Sequence, residues 1–426
     1  MKILIAGAGI GGLTAALSLH AAGFTDVRVV ESAQELRPLG VGLNLLPNAV
    51  RELAELGLLN ALSSQAVATR ELILCNSYGQ LVWRESRGVA AGNAWPQLSI
   101  HRGHLQAVLA DAVRNRLGDH AIATDSRVSA ITPLPGNRVR AHLDHPSTAN
   151  TSTLEIDLLI GADGINSAVR KALYPYEGPP LWNGLTLWRG VACSEPYLTG
   201  ASMIVAGDDV ERLVLYPIQE RIDGGEHTAL VNWVIARRCG EEPQHGDWHR
   251  RTSLDTVVEH ARRWQFDWLD IPAIISGSPA VFEYPMIDRD PLPRWTFQRV
   301  TLLGDAAHPM YPAGSNGATQ AIIDARALAY LLATCDDTDQ ALDAYDRQRR
   351  KVMAQIQLSN RAMGPERAIT LAHQRAPCGF SDINDVIPAN ELEQISADYA
   401  QIAGFDPDAC ARQSPYNANW RTYARQ

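Results

Sequence analysis

An α/β fold, in which a Rossmann-like domain is interrupted by a β-rich second domain and closed by C-terminal helices, is what this sequence predicts from three observations. Glycine-bearing turns follow short apolar runs at Gly7-Ala-Gly9-Ile-Gly-Gly12, at Gly161-Ala-Asp163-Gly164 and at Gly304-Asp305. Alternating apolar and polar runs lie between the second and third turns, and seven of the ten tryptophans fall between Trp182 and Trp295. From Ala341 onward the pattern is helical, with loops at Gly364-Pro365 and Pro377-Cys378-Gly379. The boundaries that follow are 1–180 for the first part of the nucleotide domain, 181–285 for the β-rich domain, 286–350 for the return segment and 351–426 for the C-terminal helices.

The first turn can be derived residue by residue. Lys2 to Ala6 is a short apolar run of the buried-strand type, and Gly7, Gly9 and Gly12 permit the tight turn and close backbone approach that a pyrophosphate requires. Leu13, Ala16, Leu17 and Leu19 then form a helical apolar stripe that stops at Gly23, and the open N–H groups at such a helix start hold phosphate. Val27 to Val30 reads as the next strand and ends in Glu31, an acid at the spacing that suits a ribose with free hydroxyls. A tight turn without a ligand is the plain alternative for any one of these segments. Three such turns with acids at Glu31, Asp163 and Asp305 describe one long dinucleotide, and the ligand expected is FAD.

The intervening elements follow the same logic. Arg37 to Asn48, punctuated by Gly40 and Gly42, could lay backbone against a planar ligand or simply connect, and it leads to a helix over Ala49 to Leu58. Residues 71 to 83 are strand-like around Tyr78-Gly79. Ser99 to Arg102 enters an amphipathic helix with Leu105, Val108, Leu109, Ala112, Val113 and Leu117 on one face. Arg102 at its start could meet an anionic or sugar group of the cofactor, or make a surface ion pair. In residues 126 to 160, Val139, Ala141 and Leu143 alternate with Arg138, Arg140 and His142, which predicts an antiparallel insertion returning through Asp157 to Ile160. Past residue 182, Met203 to Val205, Leu213 to Pro217 and Ala229 to Ile235 read as strands of the second domain. After Arg299 to Leu303 comes a proline-stiffened loop, Pro309 to Gly317, ahead of a long helix whose positive end would stabilise charge on a reduced flavin. His308 invites a catalytic reading, but with proline following it is expected to fix that loop.

Composition excludes several classes. With a formal charge of -9 over 426 residues and no basic run, nucleic acid is not an expected partner. The six cysteines are widely spaced, without metal-ligand spacing, and are expected to be reduced thiols in a cytoplasmic protein. No stretch of eighteen uninterrupted apolar residues occurs, so no membrane span is expected. No metal site is predicted.

The combined motifs resemble the single-component FAD-dependent aromatic hydroxylases, the group typified by para-hydroxybenzoate and salicylate hydroxylases. Gly7, Gly9, Gly12 and Glu31 match its pyrophosphate and ribose fingerprint. Asp163-Gly164 matches the segment shared by FAD and the nicotinamide donor, Asp305 matches the ribityl site, and Pro312, Gly314, Asn316 and Gly317 match the loop around the flavin ring. The likeness covers roughly residues 1 to 350. Within the group the phenazine carboxylate monooxygenases are most similar, through Arg37 to Gly42, Gly92 to Gln97, Ser99 to Gly103, Leu187 to Gly190, Leu230 to Val234 and Tyr284 to Pro293. The chain departs from them after about residue 365.

What the resemblance implies is hydroxylation of an aromatic or N-heteroaromatic acid, phenazine carboxylate-like or salicylate-like, with NADH or NADPH as transient donor and O2 as oxidant, through a flavin C4a-hydroperoxide. Backbone N–H groups near Gly314 to Gly317 would then stabilise developing charge, with Pro312 in the same catalytic loop. Gly42 and Arg102 complete the expected cofactor set. For the substrate, Tyr216, Trp233, Tyr284 and Met286 are the expected wall, with Arg189 as carboxylate partner; core packing is the alternative for each aromatic. A homodimer is compatible with the family. The rival readings are an FAD oxidase or dehydrogenase, and a non-catalytic FAD-fold binding protein; the intact 312–317 loop argues against the latter.

Overall fold

The strand Ile3–Ala6, buried at every residue, lies near the middle of a six-stranded sheet. It pairs in parallel with Val27–Val30 on one side and Leu158–Gly161 on the other, and Val300–Leu302 continues the parallel run beyond Gly161. A parallel sheet must be covered on both faces, which is why these strands are uninterrupted apolar runs. This is a computed structural model, and it describes residues 1–37, 41–223, 226–240, 250–264, 266–411 and 413–417. Pro38 to Gly40 of the glycine-punctuated segment therefore lie outside the described residues.

The helix Ile10–Ala21 is buried along nearly its whole length and packs against Arg102–Leu117 and Gly317–Thr334. Its small residues, Ala15 and Ala16 among them, allow that close contact on several sides, as expected of a helix that is apolar all round. The predicted insertion forms a separate antiparallel sheet of Arg127–Leu134, Arg138–His145 and Asn150–Ile156, with Val139, Ala141 and Leu143 on its buried face.

A seven-stranded sheet forms the second layer, in the order Val281–Asp288, Leu181–Ser194, Glu226–Arg238, Glu211–Asp223, Ser202–Gly207, Glu71–Asn76 and Leu81–Ser86. Two features differ from a sequential reading. Glu71–Asn76 and Leu81–Ser86, which sit in the first segment of the chain, belong to this sheet, because Glu71–Asn76 pairs in parallel with Ser202–Gly207. Val281–Asp288 also stays with it, so the return to the six-stranded sheet begins after Asp288.

One face of the large sheet carries its own core, in which Trp188, Trp233 and Trp264 pack with Ile204, Leu215 and Ile275. The other face looks toward the nucleotide domain. Gly42–Leu45 bridges the two: the Gly42 N–H donates to Asn232 Oδ1 at 2.7 Å, and its carbonyl accepts from Arg189 Nη2 at 3.3 Å.

The C-terminal helices Thr338–Arg361, Arg367–Arg375 and Ala389–Ala403 tie both layers together. Arg349 Nε donates to Asp324 Oδ1 at 2.7 Å, and Arg212 Nη2 reaches Thr370 at 2.6 Å. No helix among the described residues is long and apolar enough to cross a membrane.

Candidate active site

The three predicted turns meet at the carboxyl ends of the parallel strands, where an open α/β sheet binds its ligand. A Cβ on Gly12 would stand 2.0 Å from the Gly7 carbonyl oxygen, so no other residue fits without moving backbone. A Cβ on Gly9 would meet nothing within 4 Å; the loop's backbone is bare on the side where a diphosphate would lie. Glu31 accepts from the Ala8 N–H at 2.9 Å and from Ala33 N–H and the Ser32 hydroxyl at the same distance, which fixes its carboxylate beside the glycine loop. The observed cradle fits a dinucleotide.

Asp163 is placed differently from its neighbour. Its carboxylate accepts from the Ser167 hydroxyl at 2.5 Å and the Ala168 N–H at 2.8 Å, capping the short helix Ala168–Leu173. Burial raises its pKa against those hydrogen bonds. Gly164, rather than Asp163, faces the central cavity.

That cavity, about 750 Å³, runs from Gly9 past Gly42, Arg102 and Asp305 to the open face of the large sheet. The Asp305 side chain opens into it but is hemmed by its walls, and this desolvation raises the carboxyl pKa against His308 and Arg102. His308 is wholly buried and its Nε2 lies 2.5 Å from Asp324 Oδ2, an oxygen that also accepts the Gly304 N–H at 3.2 Å. It therefore fixes the loop, as its sequence context suggests. Asp324 is buried, which would raise its pKa, yet the charges and hydrogen bonds of His308 and Arg349 hold it below the usual Asp value.

Pro312, Asn316 and Gly317 line the cavity; Gly314 does not. The Gly314 N–H faces the Glu366 carboxyl, whose pKa burial raises while Arg212 and this N–H oppose. Of the two expected glycine donors, Gly314 is thus already engaged. Gly317 opens the helix Gly317–Thr334, where the first N–H groups have no intrahelical acceptor.

The cavity's far wall is one face of the large sheet. Arg189 is paired with Val234 and Val234 with Val214, and in the next row Leu187 is paired with Ala236, giving a flat aliphatic floor. Arg189, Tyr216 and Met286, three of the residues expected at the substrate wall, are in the cavity's lining. Arg189 has its Nε buried without a partner, and desolvation lowers its pKa while Tyr216 and Tyr284 oppose the shift. Burial pushes the Tyr216 hydroxyl up to about 12 against the pull of Arg189.

Trp233 does not belong to this wall. Successive strand residues point to opposite faces, and Trp233 lies in the core on the other side with its indole N–H donated to Ser278 Oγ at 2.8 Å. Tyr284 stands beside the wall, packed against Leu187, Ala236, Met286 and Tyr311.

Sequence reasoning did not find Asn232, Arg212, Arg361 or Glu366. The latter three line the cavity's far end, with Arg361 held by Asp288 at 2.7 and 3.0 Å and by Asp290 at 2.7 Å. No motif marks them, because their partners lie far along the chain. Among the described residues, no group of three His, Cys, Asp or Glu is placed to hold a metal.

A family model described as FAD binding domain matches residues 1–359, and the chain belongs to that family; it is an FAD-dependent enzyme of the aromatic hydroxylase group. It is 46% identical over 364 residues to phenazine 1,6-dicarboxylic acid hydroxylase PhzS of Lysobacter antibioticus, covering 84% of this chain and 89% of that protein. It is 33% identical over 371 residues to 3-hydroxybenzoate 6-hydroxylase 1 of Aquipseudomonas alcaligenes, covering 84% of this chain and 88% of that one. The fold is shared with Klebsiella pneumoniae HpxO complexed with FAD and uric acid, at a TM-score of 0.67, 20% identity, and coverage of 94% and 92% of the two chains.

Proposed function

We propose that this enzyme hydroxylates a planar, carboxylated aromatic ring system, of the phenazine carboxylate or hydroxybenzoate type, with NAD(P)H as donor and O2 as oxidant. The observation that carries the reading is the placing of Arg189 and Tyr216 beside the aliphatic patch of Leu187, Val234 and Ala236, in the lining of the cavity that the 312–317 loop also borders. A flat apolar floor with few convergent polar groups suits a planar ligand, and a guanidinium with an unpartnered Nε suits a carboxylate. The relatives named for phenazine dicarboxylic acid and 3-hydroxybenzoate support the same class.

Bound FAD supplies the redox chemistry that the side chains lack, taking electrons from the nicotinamide and activating oxygen. The balance is one ring C–H, one NAD(P)H, one proton and one O2 consumed for one ring C–OH, one NAD(P)+ and one water. Gly7, Gly9 and Gly12 would hold the diphosphate, Glu31 a ribose, and Asp305 with Gly164 the middle of the cofactor. Pro312, Asn316 and Gly317 would border the ring. Arg189 would fix the substrate's carboxylate and Tyr216 a second polar edge, while Leu187, Val234 and Ala236 keep water from the ring face.

The test is a panel of aromatic acids, phenazine carboxylates and hydroxybenzoates included, scored for stimulated NAD(P)H oxidation and for product mass increased by one oxygen atom. Stimulated oxidation that yields only hydrogen peroxide across the panel would refute the substrate class.

A further inference from the structure

Gly314 has φ +69°, and a Cβ built there would fall 2.0 Å from the hydroxyl of Tyr399. The space that a side chain at 314 would need is filled by a residue of the helix Ala389–Ala403, which lies beyond the family match that ends at residue 359. Tyr399 is 3% exposed. Its hydroxyl accepts from Asn316 Nδ2 at 2.7 Å, and lies 3.1 Å from the Ala313 carbonyl and 2.8 Å from Asn360 Oδ1. A phenol has one proton to give, so it donates to one of the latter two at a time. The same loop is gripped twice more: Asn360 Nδ2 donates to the Tyr311 carbonyl at 3.0 Å, and Gln320 Nε2 bridges Asn316 Oδ1 at 3.0 Å and the Ala403 carbonyl at 3.1 Å.

We infer that the Ala389–Ala403 helix is a clasp on the 312–317 loop, and that Tyr399 is the positioning residue through which this C-terminal segment sets the flavin-ring site. The loop's short 3-10 turn Ala313–Ser315 has non-helical backbone at Gly314 and leads directly into Gly317, so its path is set by contacts from outside rather than by regular structure. Among those contacts Tyr399 alone touches both ends of the turn, through Ala313 and Asn316. The inference rests on the assignment of this loop to the flavin ring, and it is independent of which aromatic acid is hydroxylated.

The experiment compares the holoenzyme with Tyr399→Phe, which keeps the ring and removes the hydroxyl, in the absence of NAD(P)H and aromatic substrate. Two flavin properties are read: the FAD dissociation constant, from flavin fluorescence, and the reduction potential with the visible band shape. Loss of the buried hydroxyl's contacts should raise the dissociation constant about five- to tenfold, with a measurable change in band shape and potential. Leu392→Ala, in the same helix but packed toward Leu72 and Ile369, controls for mere destabilisation and should leave the flavin readouts within twofold. Asn360→Ala withdraws one hydroxyl partner together with the donor to the Tyr311 carbonyl, and should move them in the same direction by about two- to threefold; it carries the test alone should Y399F yield no folded holoenzyme. The inference is overturned if FAD affinity, spectrum and potential in Y399F, or in N360A where only that variant folds, match the parent, or if L392A shifts them equally. A failed substrate panel would leave these flavin readouts untouched.

Discussion

The nucleotide domain and the large sheet meet at one cavity but are specified in different ways. In the nucleotide domain, function depends on how closely backbone approaches backbone: Gly12 sits against the Gly7 carbonyl, and Gly7 against the Ala162 carbonyl. Such positions admit one residue type, so they leave a mark in the sequence. In the large sheet, function depends on which face a side chain occupies, and many apolar residues serve there equally well.

The largest effect that should expose this contrast is in the buried ion network behind the 312–317 loop. Asp324 is bonded to His308, Arg349 and the Gly304 N–H, all away from solvent. Asp324→Asn leaves Arg349 buried without its counter-charge, and such losses cost about 3–5 kcal/mol. Chemical denaturation should show that loss, with FAD release preceding unfolding of the large sheet. The pH dependence has a definite sign. Because the folded-state pKa of Asp324 lies below its ordinary value of 3.8, its stabilisation is present above that value and is lost as pH falls through the depressed one. The parent should therefore lose an acid-side component of stability that D324N lacks.

Gly12→Ala comes next. The added methyl would overlap the Gly7 carbonyl, so the loop must open or the helix must retreat. A loss of at least about a hundredfold in FAD affinity, about 3 kcal/mol, is expected by equilibrium dialysis. Retained affinity would mean that the loop does not need its observed shape.

On the other side of the cavity, Arg189→Ala removes a cation and its 3.3 Å hydrogen bond to the Gly42 carbonyl, while the glycine turn with Glu31 and Asp305 is left as it stands. A charge-assisted hydrogen bond contributes about 1.5–3 kcal/mol, so KM for an aromatic acid should rise about ten- to a hundredfold while FAD affinity holds. An equal effect on a decarboxylated analogue would remove Arg189 from the carboxylate's role and leave it as the residue that holds the Gly42 carbonyl.

The same contrast explains what was legible in the sequence. The parallel strands, the glycine turns, the antiparallel insertion and the β-rich layer were legible because each is written in a local period or a steric exception. Glu71–Asn76 was read as strand but not as part of the large sheet, since its partner Ser202–Gly207 is more than a hundred residues away. Arg361 binds Asp288 across 73 positions and Arg212 reaches Thr370 across 158, separations that carry no local signal. Tyr399 is the sharpest instance. Gly314 could be read as a loop glycine, but the residue that demands a glycine there lies 85 positions on, in a helix with an ordinary amphipathic pattern.

Trp233 and Val234 offer the finest version of the comparison, because they are neighbours on one strand with opposite duties. Trp233 lies flat on Gly190, where an added Cβ would come within 2.6 Å of its ring, and its N–H is satisfied by Ser278 in a core away from the cavity. Val234 faces the cavity beside Arg189. Trp233→Phe should therefore cost about 1–2 kcal/mol of stability through the unpaired Ser278 hydroxyl and the smaller ring, with KM for the aromatic acid unchanged. Val234→Phe should raise that KM severalfold by filling the floor, with a smaller loss of stability. Denaturant midpoints and steady-state kinetics on the two variants give four numbers, and the expected pattern is a crossed one. A change in KM from W233F as large as that from V234F would mean that the two faces of the sheet are not energetically separate, and that the tryptophan core helps to shape the substrate floor from behind.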